Sequence, residues 1–197
     1  MSKYARRFKR CATAEPRANQ ALELKWKART KMARVVIVGC GKRGIELAGL
    51  LRADGHAVRG TTRTRTRVDE LEAAGIEPWV GDPDRIATIN YSLENATILI
   101  WALASAEGEA EAVEPLHGTR LQMLLERTID TTVRGVLYES VGTLPDDVLA
   151  AGAAEVKKAC DKNEIPWALI DADPSDAPSW ALSAKAAVDE LLTRDRG

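Results

Sequence analysis

Arg34-Val-Val-Ile-Val38 runs directly into Gly39-Cys40-Gly41-Lys42-Arg43-Gly44, and the fold is decided in this stretch. The first five residues, mostly β-branched, read as a buried strand. Behind the glycines, Ile45, Leu47, Ala48, Leu50 and Leu51 recur at helical spacing as far as Asp54, and Gly55 closes the helix. A Gly-x-Gly-x-x-Gly string is weak evidence by itself. Between a strand and a helix, in a βαβ unit of about 30 residues, it acquires a mechanism. Gly39 permits the tight turn, Gly41 lets the backbone approach a pyrophosphate, and Gly44 lets the helix pack on the strand. The unpaired N–H groups and positive end of the helix then favour a diphosphate. The competing reading is that the glycines only turn the chain. No Gly-Lys-Ser/Thr closes the string, so a Walker-type loop is excluded.

Strand and helix patterns continue to alternate downstream. Further strands are expected at residues 57–62, 77–80, 97–103, 134–138 and 167–170. Helices are expected at 68–74, after Gly81-Asp82-Pro83 to about Asn90, and at 115–128, 146–163 and 177–193. Right-handed crossovers place such helices on both faces of a parallel sheet. The prediction is α/β: a doubly wound, mainly parallel six-stranded Rossmann-type sheet in the order 3-2-1-4-5-6. Residues 32–197 would form this single NAD(P)-binding domain.

The end of the second strand bears on which dinucleotide is bound. NAD-selective domains place an acidic residue there for the ribose hydroxyls. This chain reads Arg59-Gly60-Thr61-Thr62-Arg63-Thr64-Arg65-Thr66-Arg67, with no carboxylate before Asp69. A guanidinium grips a 2′-phosphate with paired hydrogen bonds, which a carboxylate would repel. Thr62 and Arg63 are therefore expected to favour NADP(H), with NAD(H) as the alternative. The competing view is a solvated basic loop.

With these residues in place, the chain from about Arg34 to Ile170 resembles the atypical and extended short-chain dehydrogenase/reductase superfamily. It is most similar to compact, epimerase/dehydratase-like members with a Gly-Cys-Gly loop. Gly55-His56-Ala57-Val58 with Thr62-Arg63 resembles their second strand, and Gly81-Asp82 their turn beside the adenine. His117-Gly118-Thr119-Arg120 resembles their Gly-Thr-Arg helix, and Ser140-Val141-Gly142 their serine-bearing strand end. The resemblance implies cofactor contacts from Gly39, Cys40, Gly41, Lys42, Arg43, Gly44, Thr62, Arg63, Asp82, Ala102 and Leu103. It makes Ser140 the candidate catalytic residue. Glu139, where the family has another serine, is a candidate base if partly buried.

The departures are equally specific. The superfamily uses a Tyr-x-x-x-Lys pair after the serine, but Tyr4, Tyr91 and Tyr138 all precede Ser140. Lys157 and Lys158 follow with no phenol ahead of them. Two functions therefore stand. One is a small NADP(H)-dependent oxidoreductase or epimerase-like enzyme without that pair, acting on a small molecule. The other is a non-catalytic NADP(H)-binding redox sensor.

Composition sets the outer bounds. Hydrophobic content of 45% and charged content of 29% suit a soluble globular protein, and no apolar run approaches the roughly 20 residues that span a bilayer. Cys11, Cys40 and Cys160 form no CxxC pair, and free thiols imply a reducing cytoplasm. The Cys40 thiol is placed facing the glycine loop. Two histidines leave a zinc site or a Ser-His-Asp triad poorly supported; His117 reads as a first-turn residue. Asp171, Asp173 and Asp176 read as loop and helix cap rather than metal ligands, so no metal is expected. Glu107, Glu109, Glu111 and Glu114 read as a solvated acidic lid. Ten Lys and Arg against Glu15 and Glu23 mark residues 1–31 as a different kind of segment, for the remainder holds 18 basic and 27 acidic residues. A mobile basic extension is expected there, with nucleic-acid binding the lesser reading. Met32 stands where a native start is expected, and on that expectation residues 1–31 read as an upstream extension of the reading frame. A homodimer is compatible with the sequence.

Overall fold

In the computed structural model, which describes residues 32–194, β1 spans Arg34–Val38. The basic extension lies outside the described residues. Val35 and Ile37 join one apolar cluster and Val36 and Val38 the other, and all four are fully buried. Side chains alternate across a strand, so the four consecutive apolar residues from Val35 to Val38 need a cover on both faces. That cover follows from the rest of the chain.

Six strands lie in the order β3-β2-β1-β4-β5-β6, and every neighbouring pair is parallel. Their bounds are β2 Ala57–Thr62, β3 Glu77–Val80, β4 Ile98–Trp101, β5 Gly135–Glu139 and β6 Trp167–Ile170. Val35 opposes Val58 of β2 on one side and Ile98 of β4 on the other. The described helices are α1 Lys42–Ala53, α2 Val68–Ala73, α3 Ile86–Asn90, α4 Ala110–His117, α5 Thr119–Thr128, α6 Asp146–Lys162 and α7 Ala177–Thr193. Leu47 and Leu51 of α1 and Trp180 and Val188 of α7 close the Val35 face. Leu121 and Leu125 of α5 and Val156 of α6 close the Val36 face. The sheet order reverses between β1 and β4, and in open α/β sheets ligands bind beyond the strand ends at such a switch point.

Two expected elements differ. The helix read as 115–128 is two helices, with Gly118 at φ −121° and ψ −108° between them. Pro115 lies inside α4 rather than opening a helix; it lacks an N–H for the helical ladder, and α4 ends two residues later. His117 consequently ends a helix instead of occupying a first turn, and it is buried. The fourth strand is also shorter than 97–103. Ala102 and Leu103 leave the sheet and line a cavity at its end.

No helix among the described residues is long and apolar enough to cross a membrane. Asp173 and Asp176 accept backbone N–H groups from Ser175 at 2.8 Å and Ser179 at 3.1 Å, and Asp176 caps α7. No group of three His, Cys, Asp or Glu side chains that could hold a metal occurs among the described residues.

Candidate dinucleotide site

A cavity of about 480 Å³ opens at the carboxyl ends of β1, β2 and β4, within the usual range of roughly 300–1,000 Å³ for small-molecule sites. Its floor is the glycine loop. Gly39 has φ +84°, and a Cβ there would lie 2.5 Å from the Ala102 carbonyl oxygen. Only glycine satisfies both constraints. The loop is held from β2: Gly39 N–H donates to Thr61 Oγ1 at 3.1 Å and Cys40 N–H to the Thr61 carbonyl at 3.3 Å. Gly41 is the N-cap of α1, and no side chain caps that helix. Its first-turn N–H groups are therefore without a side-chain acceptor at the cavity, which Gly41, Lys42, Arg43 and Gly44 all line.

The Cys40 thiol faces the core, not the loop. A Cβ on Gly44 would lie 3.1 Å from its sulfur and one on Gly60 2.8 Å, so two glycines make its socket. Burial pushes this thiol up to about 12, far from the thiolate form that redox chemistry needs. Cys40 is still among the residues that line the cavity.

At the β2 end the cavity is lined by Thr62, Arg63 and Arg67. Arg63 is exposed, and no carboxylate pairs with it among the described residues. Arg67 donates from Nη1 to the Cys40 carbonyl at 3.0 Å and from Nε to Glu70 at 2.8 Å, tying this segment to the glycine loop. It is a lining residue that the strand pattern did not single out within the arginine run. Arg59 turns elsewhere: it is buried, pairs with Glu77 at 2.7 Å and donates to the Ser92 carbonyl. Asp82 also lines the cavity, with Oδ1 accepting the Asp84 N–H at 3.1 Å.

The opposite end is built by β4, β5 and α7. Ala102, Leu103, Ser105 and Trp180 line it together with Arg43. Arg43 donates to Glu139 Oε1 at 2.6 Å. Glu139 has no solvent exposure, and its Oε2 accepts the Ala104 N–H at 3.0 Å. Burial raises the Glu139 carboxyl above its ordinary range, against the pull of Arg43 and that N–H. Below this floor, His117 Nε2 lies 3.2 Å from the Leu103 carbonyl and Nδ1 2.6 Å from the Tyr138 hydroxyl. A carbonyl only accepts, so Nε2 carries the proton. Burial keeps the imidazole pKa low, so the neutral Nδ1 and the Leu149 carbonyl, 3.2 Å from the phenol oxygen, compete for the single Tyr138 hydroxyl proton.

Ser140 stands apart from the cavity lining. It follows β5, and its hydroxyl donates to the Ile170 carbonyl at 3.2 Å. Neither tyrosine of the described residues lines the cavity either: Tyr138 is fully buried and Tyr91 is 66% exposed. Lys157 and Lys158 extend from α6 to Asp161 at 2.7 Å and Glu155 at 3.4 Å. Lys157→Ala and Lys158→Ala are thus expected to lower any turnover by less than ~100-fold, the low end for a lost acid/base partner. Steady-state kinetics check this; abolished turnover with cofactor binding intact would assign the lysine a proton donor elsewhere.

Residues 35–129 match the TrkA-N domain family. No curated protein matches the chain in sequence. Among solved structures, Pen from Bacillus thuringiensis aligns at a TM-score of 0.60 and 15% identity, over 71% of this chain and 49% of that one. UDP-glucose 4-epimerase from Thermotoga maritima aligns at 0.58 and 12%, over 69% and 54%. Triphenylmethane reductase from Citrobacter sp., complexed with NADP(H), aligns at 0.53 and 15%, over 69% and 48%. The chain spans about half the length of these structures, and at such identities the similarity shows the fold. A glycine loop under an uncapped helix, at the switch point of a 3-2-1-4-5-6 sheet and within the TrkA-N match, makes this an NAD(P)-binding Rossmann domain, similar in fold to reductases and epimerases.

Proposed function

We propose that the chain binds NADP(H) in preference to NAD(H). On this reading it is a small oxidoreductase or epimerase-like protein of the atypical short-chain dehydrogenase type, working without the Tyr-x-x-x-Lys pair. One observation carries the cofactor choice. The segment after β2 brings Arg63 and Arg67 to the cavity, and no carboxylate occurs in it before Asp69, which does not line the cavity. Thr62 adds a polar side chain at the same end. The glycine loop and the open turn of α1 take the diphosphate, while Asp82 borders the adenosine half and Ala102 and Leu103 the nicotinamide half. The bound dinucleotide supplies hydride transfer; the chain binds it, orients it and shields it from water.

Ser140 retains a candidate role only if ligand binding draws its hydroxyl away from Ile170. A second reading, a non-catalytic NADP(H)-binding sensor, is favoured by the absence of a tyrosine from the cavity lining among the described residues. Turnover of NADPH against a panel of small carbonyl compounds separates the two. Steady oxidation supports the enzyme, and tight binding without turnover supports the sensor. Release of NAD(H) alone from the purified, denatured protein would contradict the cofactor choice.

A further inference from the structure

Five segments meet at one guanidinium. Besides Glu139, Arg43 donates from Nη2 to Ser105 Oγ at 3.4 Å and from Nη1 to the Pro174 carbonyl at 3.3 Å. Its central carbon lies 5.3 Å from the ring centroid of buried Trp180. The start of α1, the chain after β4, the end of β5, the chain after β6 and α7 all converge there. Both oxygens of Glu139 are engaged, one by Arg43 and one by the Ala104 N–H. The pair therefore links the glycine-loop helix to the end of β5 and to the segment that follows Leu103.

Charge distinguishes the two ends of the cavity. At the β2 end Arg63 meets no carboxylate among the described residues and Arg67 pairs only with the half-exposed Glu70, whereas Arg43 sits against a carboxylate with no solvent contact. Countered this way, Arg43 has little net attraction for a diphosphate, which the first turn of α1 already serves. Its side chain keeps 22% exposure and lines the cavity. A guanidinium carries five N–H donors, and three bonds to the protein leave some for a ligand. With the adenosine at the β2 end and the diphosphate at α1, the remaining half of a dinucleotide falls at Arg43. That half carries a neutral carboxamide.

We propose that Glu139 is a positioning residue for the nicotinamide half of the cofactor. It countercharges Arg43 and fixes it so that the guanidinium bonds the carboxamide oxygen rather than the diphosphate. The proposal rests on the NADP(H) reading above. The test titrates the full chain and its variants with NADPH and with 2′,5′-ADP, which keeps the 2′-phosphate but has no nicotinamide. Nicotinamide fluorescence is followed in the NADPH arm.

Glu139→Ala should weaken NADPH by at least ~10-fold and lose the change in nicotinamide emission that wild-type binding is expected to produce, while 2′,5′-ADP stays within ~3-fold of wild type. Glu139→Gln keeps the shape and one acceptor oxygen but turns an N–H donor toward either Arg43 or the Ala104 N–H, so its loss should lie between wild type and Glu139→Ala. Arg43→Met combined with Glu139→Gln leaves no buried charge unpaired, so it reports even where Glu139→Ala fails to fold; it should behave as Glu139→Ala does. An equal loss of NADPH and 2′,5′-ADP in folded variants, or unchanged NADPH binding, overturns the proposal. A wild-type chain that binds neither nucleotide overturns the NADP(H) reading itself, and that result appears before any variant is made.

Discussion

Arg43→Ala is expected to cost about 3–5 kcal/mol at neutral pH, the range for stranding one member of a buried ion pair. The carboxylate left behind, Glu139, has no solvent exposure and would keep the Ala104 N–H and the neighbouring Trp180 indole but no countercharge. The loss should depend on pH with a definite sign. Burial already raises the folded-state pKa of Glu139 above its unfolded value, and removing the arginine raises it further. A raised carboxyl stabilises the fold below its unfolded pKa, where it is protonated in both states, and that stability is lost as pH rises through the folded value. Thermal melts of Arg43→Ala should therefore lie nearest wild type around pH 4–5 and fall furthest behind near pH 7. A deficit that does not change across this interval would show that Glu139 is not the group left stranded.

Gly39→Ala should damage fold and binding together. The added Cβ would sit 2.5 Å from the Ala102 oxygen and 2.6 Å from Leu103 Cδ2, at φ +84°. Left-handed backbone alone costs an L-residue about 1–2 kcal/mol, and relieving the clash means pushing the loop away from β4. The N–H groups offered to the diphosphate come from this turn, so NADPH affinity should fall by ~100-fold, about 2.7 kcal/mol. Gly41→Ala is the informative contrast. A Cβ at Gly41 meets nothing closer than 4.0 Å, the Gly39 carbonyl oxygen. It should melt like wild type and still lose affinity, because the methyl occupies the path of the ligand. Melting curves and nucleotide titrations on both variants check this; wild-type melting and binding by Gly39→Ala would refute the role of the turn.

What was legible in the sequence is what has a local cause. The continuous β-branched run Val35–Val38 and the helical spacing from Ile45 to Leu51 imposed the layers, and the strand order followed from the doubly wound pattern. The glycine string declared its own geometry through Gly39. Long-range pairings were not legible. Arg43 and Glu139 lie 96 residues apart, and Trp180 reaches the cavity only because α7 returns across the sheet beside α1. Arg67 was visible as one of a run, but nothing in the run distinguishes it from Arg59, which the β2–β3 pairing turns toward Glu77. A sequence carries no direction for a side chain at a turn, so nothing in it turns the Cys40 thiol away from the loop; the space beside Gly44 and Gly60 takes it inward. The division of α4 from α5 was hidden because Pro115 is equally at home opening a helix.

Paired titrations of NADPH and NADH at low ionic strength, on wild type and on Arg63→Ala, test the cofactor assignment most directly. A hydrogen bond to a charged group contributes about 1.5–3 kcal/mol, or roughly 10- to 150-fold. NADPH should therefore bind the wild-type chain at least ~10-fold more tightly than NADH. Arg63 is exposed, so added salt should narrow the gap as charges are screened over about 8–10 Å. Arg63→Ala should remove most of the preference and leave NADH affinity nearly unchanged, because NADH has no phosphate at that position. Equal affinity of the wild-type chain for the two nucleotides would contradict the assignment of Arg63 and the preference for NADP(H) with it.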